Sequence, residues 1–414
     1  MFPSKRIIAL LIALHLTAII CLPVTLTQTS PAQFSTQTKL SATDANPVNS
    51  FGMAVAVDGN TVVVGGMGSR FSGHPQGAVY VYVRDGESWT LQQVITGGGE
   101  TPDVDDAFGS SVAISGNTIV VGSYADCSAG FLTGAAYVYV RNGSTWSLQQ
   151  KLTASDAAPV AVMGFSVAIH GDTIVAGAHG DDDEGYLTGA AYVFKREGGV
   201  WTEQQKLKAS DAASDTAFGL SVAVDNGTIA VGSPSHSTPA ARYSGAVYVF
   251  VHGSTGWTEQ QKMSARDITE TQQLGYCVDI SGDTIVATSP LNIVGKHTLG
   301  AAYVFGRNEG VWSEQRKLFD SDTGGYDGFA LRAAIDGDRI VVGDATDNTG
   351  APWGGAAYVY ERSGNSGWSL HHVLTASDAA YLDFLGVAVA VSGDTVVAGS
   401  SQKENMKGAA YIFR

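Results

Sequence analysis

The feature that most constrains this 414-residue chain is a repeat of about 55 residues that runs through nearly all of it. Six of the seven tryptophans recur at one point of the repeat: Trp89, Trp146, Trp201, Trp257, Trp312 and Trp368. A glycine before a small residue marks the repeat seven times: Gly77, Gly134, Gly189, Gly245, Gly300, Gly355 and Gly408. So regular a period indicates one supersecondary unit that buries its core by stacking on its neighbours.

The unit that begins near Phe108 predicts four antiparallel strands. Residues 111–114 and 118–121 are β-rich runs on either side of a Ser-Gly-Asn turn, which is typical of a tight hairpin. Residues 135–140 form a third run and 149–152 a fourth, and no stretch has helical periodicity. Four antiparallel strands repeated around a ring predict an all-β fold, a seven-bladed β-propeller.

The two ends of the chain predict how the ring closes. The seventh unit stops at residues 411–414, after its third strand, and residues 37–44 closely resemble 150–156, the fourth strand of another unit. We therefore expect residues 33–44 to complete the last blade and to leave no unpaired edge there. Residues 33–414 are then a single propeller domain.

The N-terminus predicts export. Lys5 and Arg6 precede an apolar run over residues 7–24, the pattern of a signal peptide, here within residues 1–32. Cleavage near Thr27 and cleavage near Ala32 both fit, and an uncleaved membrane anchor is the alternative. Removing two positive and no negative charges takes the formal charge from −15 to −17. So acidic a protein repels nucleic acid and anionic lipid, which excludes both as expected partners.

The hairpins resemble a known family. Phe108-Gly109 opens the first hairpin of a unit, Gly177-Ala178 closes another, and a Gly-Ala-Ala-Tyr-Val-Phe strand follows, as in FG-GAP repeats. The resemblance covers residues 37–414 and implies an integrin α-like propeller used in adhesion or ligand binding. The calcium loops of integrin-type repeats are not expected here, because turns such as Gly116-Asn117 are too short to wrap a cation that needs six to eight oxygens.

Two charged residues interrupt the small side chains of the strand nearest the axis. Asp279 and Arg332 lie in neighbouring units, in columns that otherwise hold alanine, serine or cysteine. We expect them to form a structural ion pair, because an unpaired buried charge is costly. The alternative is a charged channel lining that grips a ligand.

Long connections share one face of the predicted ring and carry the candidate site residues. Asp181, Asp182, Asp183 and Glu184 are clustered acids that either bind calcium or form a solvated tip. Trp353 either anchors a ligand or packs in its loop. The remaining candidate ligand-binding residues are acids that should make this face negative: Asp103, Asp105, Asp106, Asp344 and Asp347.

Catalytic signals are weak. Four loop histidines either lie on the surface or share a metal: His74, His179, His236 and His297. Cys127 and Cys277 are expected to be spare thiols, and Asn142 and Asn226 match the glycosylation sequon. The sequence has no nucleophile elbow, no zinc-protease motif and no phosphate loop.

These patterns together predict a secreted or cell-surface binding or adhesion scaffold. We expect a monomer without enzymatic activity that binds an extracellular protein or glycan, with calcium as the one cofactor considered. The alternatives are a secreted hydrolase or lyase with a site at the channel mouth, and a structural component of the cell envelope. Converging histidines would favour the enzyme.

Overall fold

Seven four-stranded antiparallel sheets form the blades of a β-propeller. The computed structural model describes residues 34–42, 50–67, 77–97, 106–294, 297–298, 300–320, 328–364 and 367–414. The predicted signal peptide lies outside these residues. Phe34–Arg414 is one unit of the chain. In the ranges just given, no helix is both long enough and apolar enough to cross a membrane.

Each blade runs from an inner strand at the axis to an outer strand at the rim. Blades 1 to 7 are numbered in the chain order of their inner strands. The inner strands are β2 Phe51–Asp58, β6 Phe108–Ser115, β10 Ser166–His170, β14 Ser221–Asp225, β18 Val278–Ser281, β24 Phe329–Asp336 and β28 Ala388–Ser392. The second strands are β3 Thr61–Gly66, β7 Thr118–Ser123, β11 Thr173–Ala178, β15 Thr228–Ser233, β19 Thr284–Ser289, β25 Arg339–Asp344 and β29 Thr395–Ser400. The third strands are β4 Ala78–Asp85, β8 Ala135–Asn142, β12 Ala190–Glu197, β16 Ala246–Gly253, β22 Ala301–Asn308, β26 Ala356–Ser363 and β30 Ala409–Phe413. The outer strands are β5 Ser88–Thr96, β9 Thr145–Leu152, β13 Val200–Leu207, β17 Gly256–Met263, β23 Val311–Leu318, β27 Gly367–Leu374 and β1 Gln37–Leu40.

Two small elements lie in the connections between second and third strands. A two-residue hairpin, β20 Ile293–Val294 with β21 His297–Thr298, follows β19 in blade 5. A single helical turn, α1 Lys403–Met406, follows β29 in blade 7, and its residues Glu404 and Asn405 have left-handed backbone angles.

The N-terminal strand closes the ring, as the sequence predicts. β1 pairs antiparallel with β30, from Gln37 opposite Phe413 to Leu40 opposite Ala410. The backbone N–H groups of Ser35 and Thr36 also donate to the carbonyl oxygen of Arg414, at 2.6 and 3.0 Å. The first and last strands of the propeller are therefore neighbours in the seventh blade.

Apolar cores between successive blades hold the ring together. The second strands are almost entirely buried and the third strands are buried over their first five residues. The tyrosines and tryptophans of the repeat pack into these cores, so both repeated aromatics are structural. Glycine is required where blades touch: a Cβ on Gly122 would lie 2.0 Å from the carbonyl oxygen of Gly164 in the next blade. The Phe-Gly and Gly-Ser or Gly-Ala steps of the repeat are thus the contact points between backbones.

Candidate functional site

The strand directions define two faces. The hairpins between first and second strands and the turns between third and outer strands form the short-hairpin face. The connections between second and third strands, and from each blade to the next, form the long-loop face. Asn142 and Asn226, the two sequons, are exposed on the short-hairpin face. The predicted loop residues that the structure describes lie on the long-loop face.

A buried tyrosine joins two loops to a lysine at the long-loop face of blade 3. The hydroxyl of Tyr192 donates to Asp156 at 2.7 Å and to Asp181 at 3.0 Å. Nζ of Lys206, the register partner of Tyr192, lies 2.8 and 2.7 Å from the same two carboxylates. Burial alone would lower the pKa of Lys206, but hydrogen bonds to these carboxylates outweigh it and raise the pKa, so the ammonium stays charged.

The same three groups recur in four more blades, with a lysine–aspartate distance between 2.6 and 2.9 Å. They are Tyr137, Asp126 and Lys151; Tyr248, Asp211 and Lys262; Tyr303, Asp267 and Lys317; Tyr411, Asp378 and Lys39. We call each set a tyrosine junction. Its ammonium neutralises the aspartate that is bonded to the tyrosine, and in blade 3 it neutralises aspartates from two loops.

The acid cluster of blade 3 is part of such a junction. Asp181 is buried against Lys206, whereas Asp182, Asp183 and Glu184 are exposed. Asp183 also contacts Lys206 at 2.5 Å, and Glu184 contacts Lys208 at 3.0 Å. The four acids therefore do not converge on one point, and two lysines pair with three of them.

Blade 6 departs from this arrangement. The hydroxyl of Tyr358 donates to Asp320 at 2.9 Å and to Asp347 at 2.5 Å, but its register partner on β27 is Val373. Asp344 lies beside them, and oxygens of Asp320, Asp344 and Asp347 are all within 4.8 Å of one another. Within the described ranges, this is the one group of three acidic, histidine or cysteine side chains so close together.

The predicted negative surface is only partly correct. Asp344 and Asp347 are 1% and 5% exposed, and Asp106 is 7% exposed, because their loops fold inward rather than into solvent. Asp103 and Asp105 lie outside the described residues. Asp106, Asp344 and Asp347 therefore lie between loops, where a ligand on the surface would not reach them.

The predicted ion pair between Asp279 and Arg332 is not formed. The carboxylate of Asp279 accepts hydrogen bonds from the backbone N–H groups of Ile335 and Ile280, at 2.8 and 2.9 Å. The guanidinium of Arg332 donates to the carbonyl oxygen of Leu331 and lies 5.6 Å from the ring of Tyr276. The two side chains belong to inner-strand columns that are two residues apart, so each has its own partners.

The axis carries a cavity of about 220 Å³ at the long-loop mouth. Arg332 is the one charged side chain that lines it, among serines and small apolar residues, and Asp279 lines the opposite end of the channel. Cys277 also lines the cavity, and burial raises the pKa of its thiol. Cys127 and Cys277 are both free, as predicted.

The two described loop histidines do not converge. His179 packs against Phe165 with ring centroids 4.4 Å apart, and burial lowers its pKa to about 4. His236 is buried in the junction of blade 4, where Nε2 lies 2.6 Å from Nζ of Lys262. The expectation of surface histidines is thus wrong for His236, whereas His179 is half-buried. His74 lies outside the described residues, and so does the side chain of His297.

Exposed aromatic side chains are confined to the long-loop face. In the part of the chain that the structure describes, every tryptophan, tyrosine or phenylalanine in the exposed class lies there: Phe131, Tyr186, Tyr243, Phe319, Trp353 and Tyr381. Only Trp353 was predicted from the sequence. It is 49% exposed, and its ring also packs on that of Phe384 with centroids 6.2 Å apart, so it packs in its loop and still presents part of its ring to solvent. Phe131, Tyr186 and Tyr243 stand two or three residues before a repeat glycine, and Phe319 directly follows an outer strand, a signal visible once the loops are aligned. Tyr381 lies farther along the connection from β27 to β28.

Four of these aromatics stand on a fixed backbone. The carbonyl oxygens of Phe131 and Tyr186 each accept a 2.9 Å hydrogen bond from the next blade's leading segment. The carbonyl oxygens of Tyr243 and Trp353 accept corresponding bonds at 3.0 and 3.2 Å. Because each loop is tied to its neighbour, the rings are presented from rigid positions around the face.

A closed seven-bladed ring with short hairpins on one face and tied loops on the other defines a repeat propeller. The FG-GAP repeat family matches it seven times, at residues 34–82, 89–139, 146–194, 201–250, 257–305, 312–360 and 368–413. The chain belongs to the FG-GAP repeat family. A search of curated proteins finds no match to it.

Proposed function

We propose that this protein is an exported binding or adhesion scaffold without catalytic activity, which presents its long-loop face to an extracellular protein or glycan. The observation that carries the proposal is the one-sided distribution of exposed aromatic rings. Flat apolar rings that remain in solvent on a rigid support are suited to stacking on sugar rings or to anchoring a protein surface.

The family and the N-terminal sequence both support an exported binding protein. FG-GAP repeats are typical of binding and adhesion propellers, and the N-terminal pattern is that of an export signal. The acidic charge repels a phosphate backbone, so nucleic acid is not the expected partner. His179 and His236 lie in separate contacts, so the observation that would favour a hydrolase or lyase is not made in the described loops.

Binding of matched surface variants tests the proposal. Labelled protein comprising residues 33–414 is applied to a glycan array and to a panel of purified extracellular-matrix proteins. We expect binding that falls at least tenfold when Phe131, Tyr186, Tyr243 and Trp353 are changed together to serine. Each engaged ring contributes about 0.5–1.5 kcal/mol beyond its buried area, and about 1.4 kcal/mol is a factor of ten.

The control changes four exposed apolar residues of the outer strands to serine: Leu148, Val200, Val311 and Leu370. It should bind as the wild type does. Equal loss in both variants, or no loss in either, would place the binding surface elsewhere, and turnover of a bound glycan would identify an enzyme.

A further inference from the structure

Blade 6 differs from the repeat at three positions that meet in space. The column that holds Val373 holds lysine in five other blades: Lys39, Lys151, Lys206, Lys262 and Lys317. The column of Asp320, two residues beyond the outer strand's last apolar residue, otherwise holds small residues: Ala42, Gly97, Ala154, Ala209, Ala265 and Ala376. The column of Asp344 otherwise holds Gly66, Ser123, Ala178, Ser233, Ser289 and Ser400.

These departures change the charge of one small volume. In blade 6 the lysine column holds a valine, and two columns that are otherwise neutral hold carboxylates. In the serine column the hydroxyl donates to a backbone carbonyl, for example Ser123 to Asp106 at 2.7 Å and Ser233 to Thr216 at 2.8 Å. Asp344 instead accepts a bond from the N–H of Thr346 at 3.0 Å. Blade 6 thus has acids in two columns that are otherwise neutral, beside the position where five other blades have a lysine.

The three carboxylates are close and shielded from water. Asp320, Asp344 and Asp347 are 8%, 1% and 5% exposed. Tyr358 and the N–H of Thr349, at 2.6 Å from Asp347, are neutral donors that orient the carboxylates and add no positive charge. Carboxylates this close in a poorly solvated site repel one another unless protons or a cation are shared among them.

We propose that blade 6 binds a Ca²⁺ ion through Asp320, Asp344 and Asp347, in the place that a lysine ammonium takes in the other tyrosine junctions. Ca²⁺ binds oxygen ligands at about 2.3–2.6 Å, so its ligands lie up to about 5.2 Å apart. The oxygens of the three acids, within 4.8 Å of one another, fit that sphere without rearrangement. Mg²⁺ demands a tighter octahedron, with opposite ligands about 4.2 Å apart.

This site is separate from the surface of the proposed function and from the short hairpins. It ties the segment before blade 6 to the loop between β25 and β26, which carries Trp353. A cation here would do what Lys206 does in blade 3: join two loops at a tyrosine hydroxyl. The inference does not depend on which ligand the aromatic face binds.

Calorimetric titration and thermal unfolding of the chain 33–414, stripped with EDTA, test the site. We expect one Ca²⁺ per chain, with a Kd on the order of 10⁻⁵ to 10⁻³ M and weaker binding of Mg²⁺. Ca²⁺ at millimolar concentration should raise the Tm by mass action. Asp344→Ser, which restores the residue of the column, should weaken Ca²⁺ binding at least tenfold.

Val373→Lys is the decisive variant, because it restores the ammonium of the repeat. Its Tm in EDTA should match or exceed that of the wild type, and the Ca²⁺-dependent rise should disappear. Leu370→Lys adds the same charge to the same strand but not opposite Tyr358, and it should leave Ca²⁺ binding unchanged. The proposal is overturned if the wild type shows neither heat nor a Tm shift at 5 mM Ca²⁺ (a concentration of about five times the weakest expected Kd). It is equally overturned if Val373→Lys or Asp344→Ser binds Ca²⁺ as the wild type does, or if Asp183→Asn in blade 3 abolishes binding.

Discussion

Asp279 shows how one side chain can make stability depend on pH. It stands in the inner column where the other six blades have alanine, in the wall of the channel. Burial raises the pKa of its carboxyl group to about 7, and the nearby Asp225 and Asp336 add to the effect, against the hydrogen bonds from Ile335 and Ile280. The folded state therefore holds this proton more tightly than the unfolded chain, in which an aspartate has a pKa of about 3.9.

The sign of the pH effect follows from linkage. Where the folded state binds more protons, the free energy of unfolding falls as pH rises, here between about pH 4 and pH 7. We expect Asp279→Ala to reduce the loss of unfolding free energy between pH 5 and pH 8, by at most about 3 kcal/mol. Urea unfolding at both pH values measures it, and because only the difference between variant and wild type counts, opposite contributions such as that of His179 cancel. An unchanged pH dependence would show that Asp279 titrates normally.

Asp279 also shows why the predicted ion pair was wrong. Sequence alignment of the repeats places Asp279 and Arg332 in neighbouring blades, and this is correct. Arg332, however, shares its column with Cys277, one step nearer the long-loop mouth, while Asp279 shares its column with Ala334. The backbone N–H of Ile335, rather than the Arg332 guanidinium, is the partner of Asp279. The alternation of apolar and polar residues in the sequence does not indicate which backbone N–H groups are available as donors.

Among the elements, the outer strands connect neighbouring blades through a glutamine. The side chain of Gln150 bonds both the N–H and the carbonyl of Trp201 in the next blade, at 2.9 and 2.7 Å, and Gln149 accepts from the Trp201 indole at 2.9 Å. The same backbone pairs join Gln93 to Trp146, Gln205 to Trp257 and Gln261 to Trp312. Between blades 5 and 6, Arg316 occupies the glutamine position, and Nε1 of Trp368 and Oε1 of Gln315 are buried without a partner.

The junction between blades 5 and 6 should therefore be open to strengthening. We expect Arg316→Gln to raise the free energy of unfolding by about 1–3 kcal/mol, since each of two restored hydrogen bonds contributes roughly 0.5–1.5 kcal/mol net. Denaturant unfolding at constant Ca²⁺ measures the change. Arg316→Met removes the charge without supplying an amide and should give no gain; equal stabilisation by both variants would rule out the hydrogen-bond explanation.

Strand order and blade number could be predicted because the same sequence pattern occurs seven times. The alternation in residues 111–114, the glycine turns and the recurring tryptophans each fix local structure, and their agreement fixes the ring. The tyrosine junctions were not predicted, because each combines a third-strand tyrosine, an outer-strand lysine and at least one aspartate from a loop. The signal was present in Val373, which with Val94 interrupts the lysine column, but its meaning needed the folded position of Asp320 and Asp344.

At the scale of the whole molecule, both faces depend on a closed ring. Residues at the two ends of the chain form one blade, in which Leu40 is 3% exposed and Gln37 bonds the N–H of Ser377 and the carbonyl of Thr375 at 2.9 Å. Lys39 completes the tyrosine junction of that blade with Asp378. The first strand is thus a structural part of the last blade.

Equilibrium unfolding of two chains, residues 33–414 and residues 44–414, tests this closure most directly. Tryptophan fluorescence in urea reports stability, and light scattering reports association. We expect the shorter chain to lose at least about 3 kcal/mol of unfolding free energy, the usual cost of losing one buried leucine, to unfold with a lower m value and to aggregate through its open edge. A shorter chain that stays monomeric and unfolds in one transition at the same urea concentration would contradict ring closure by the N-terminal strand.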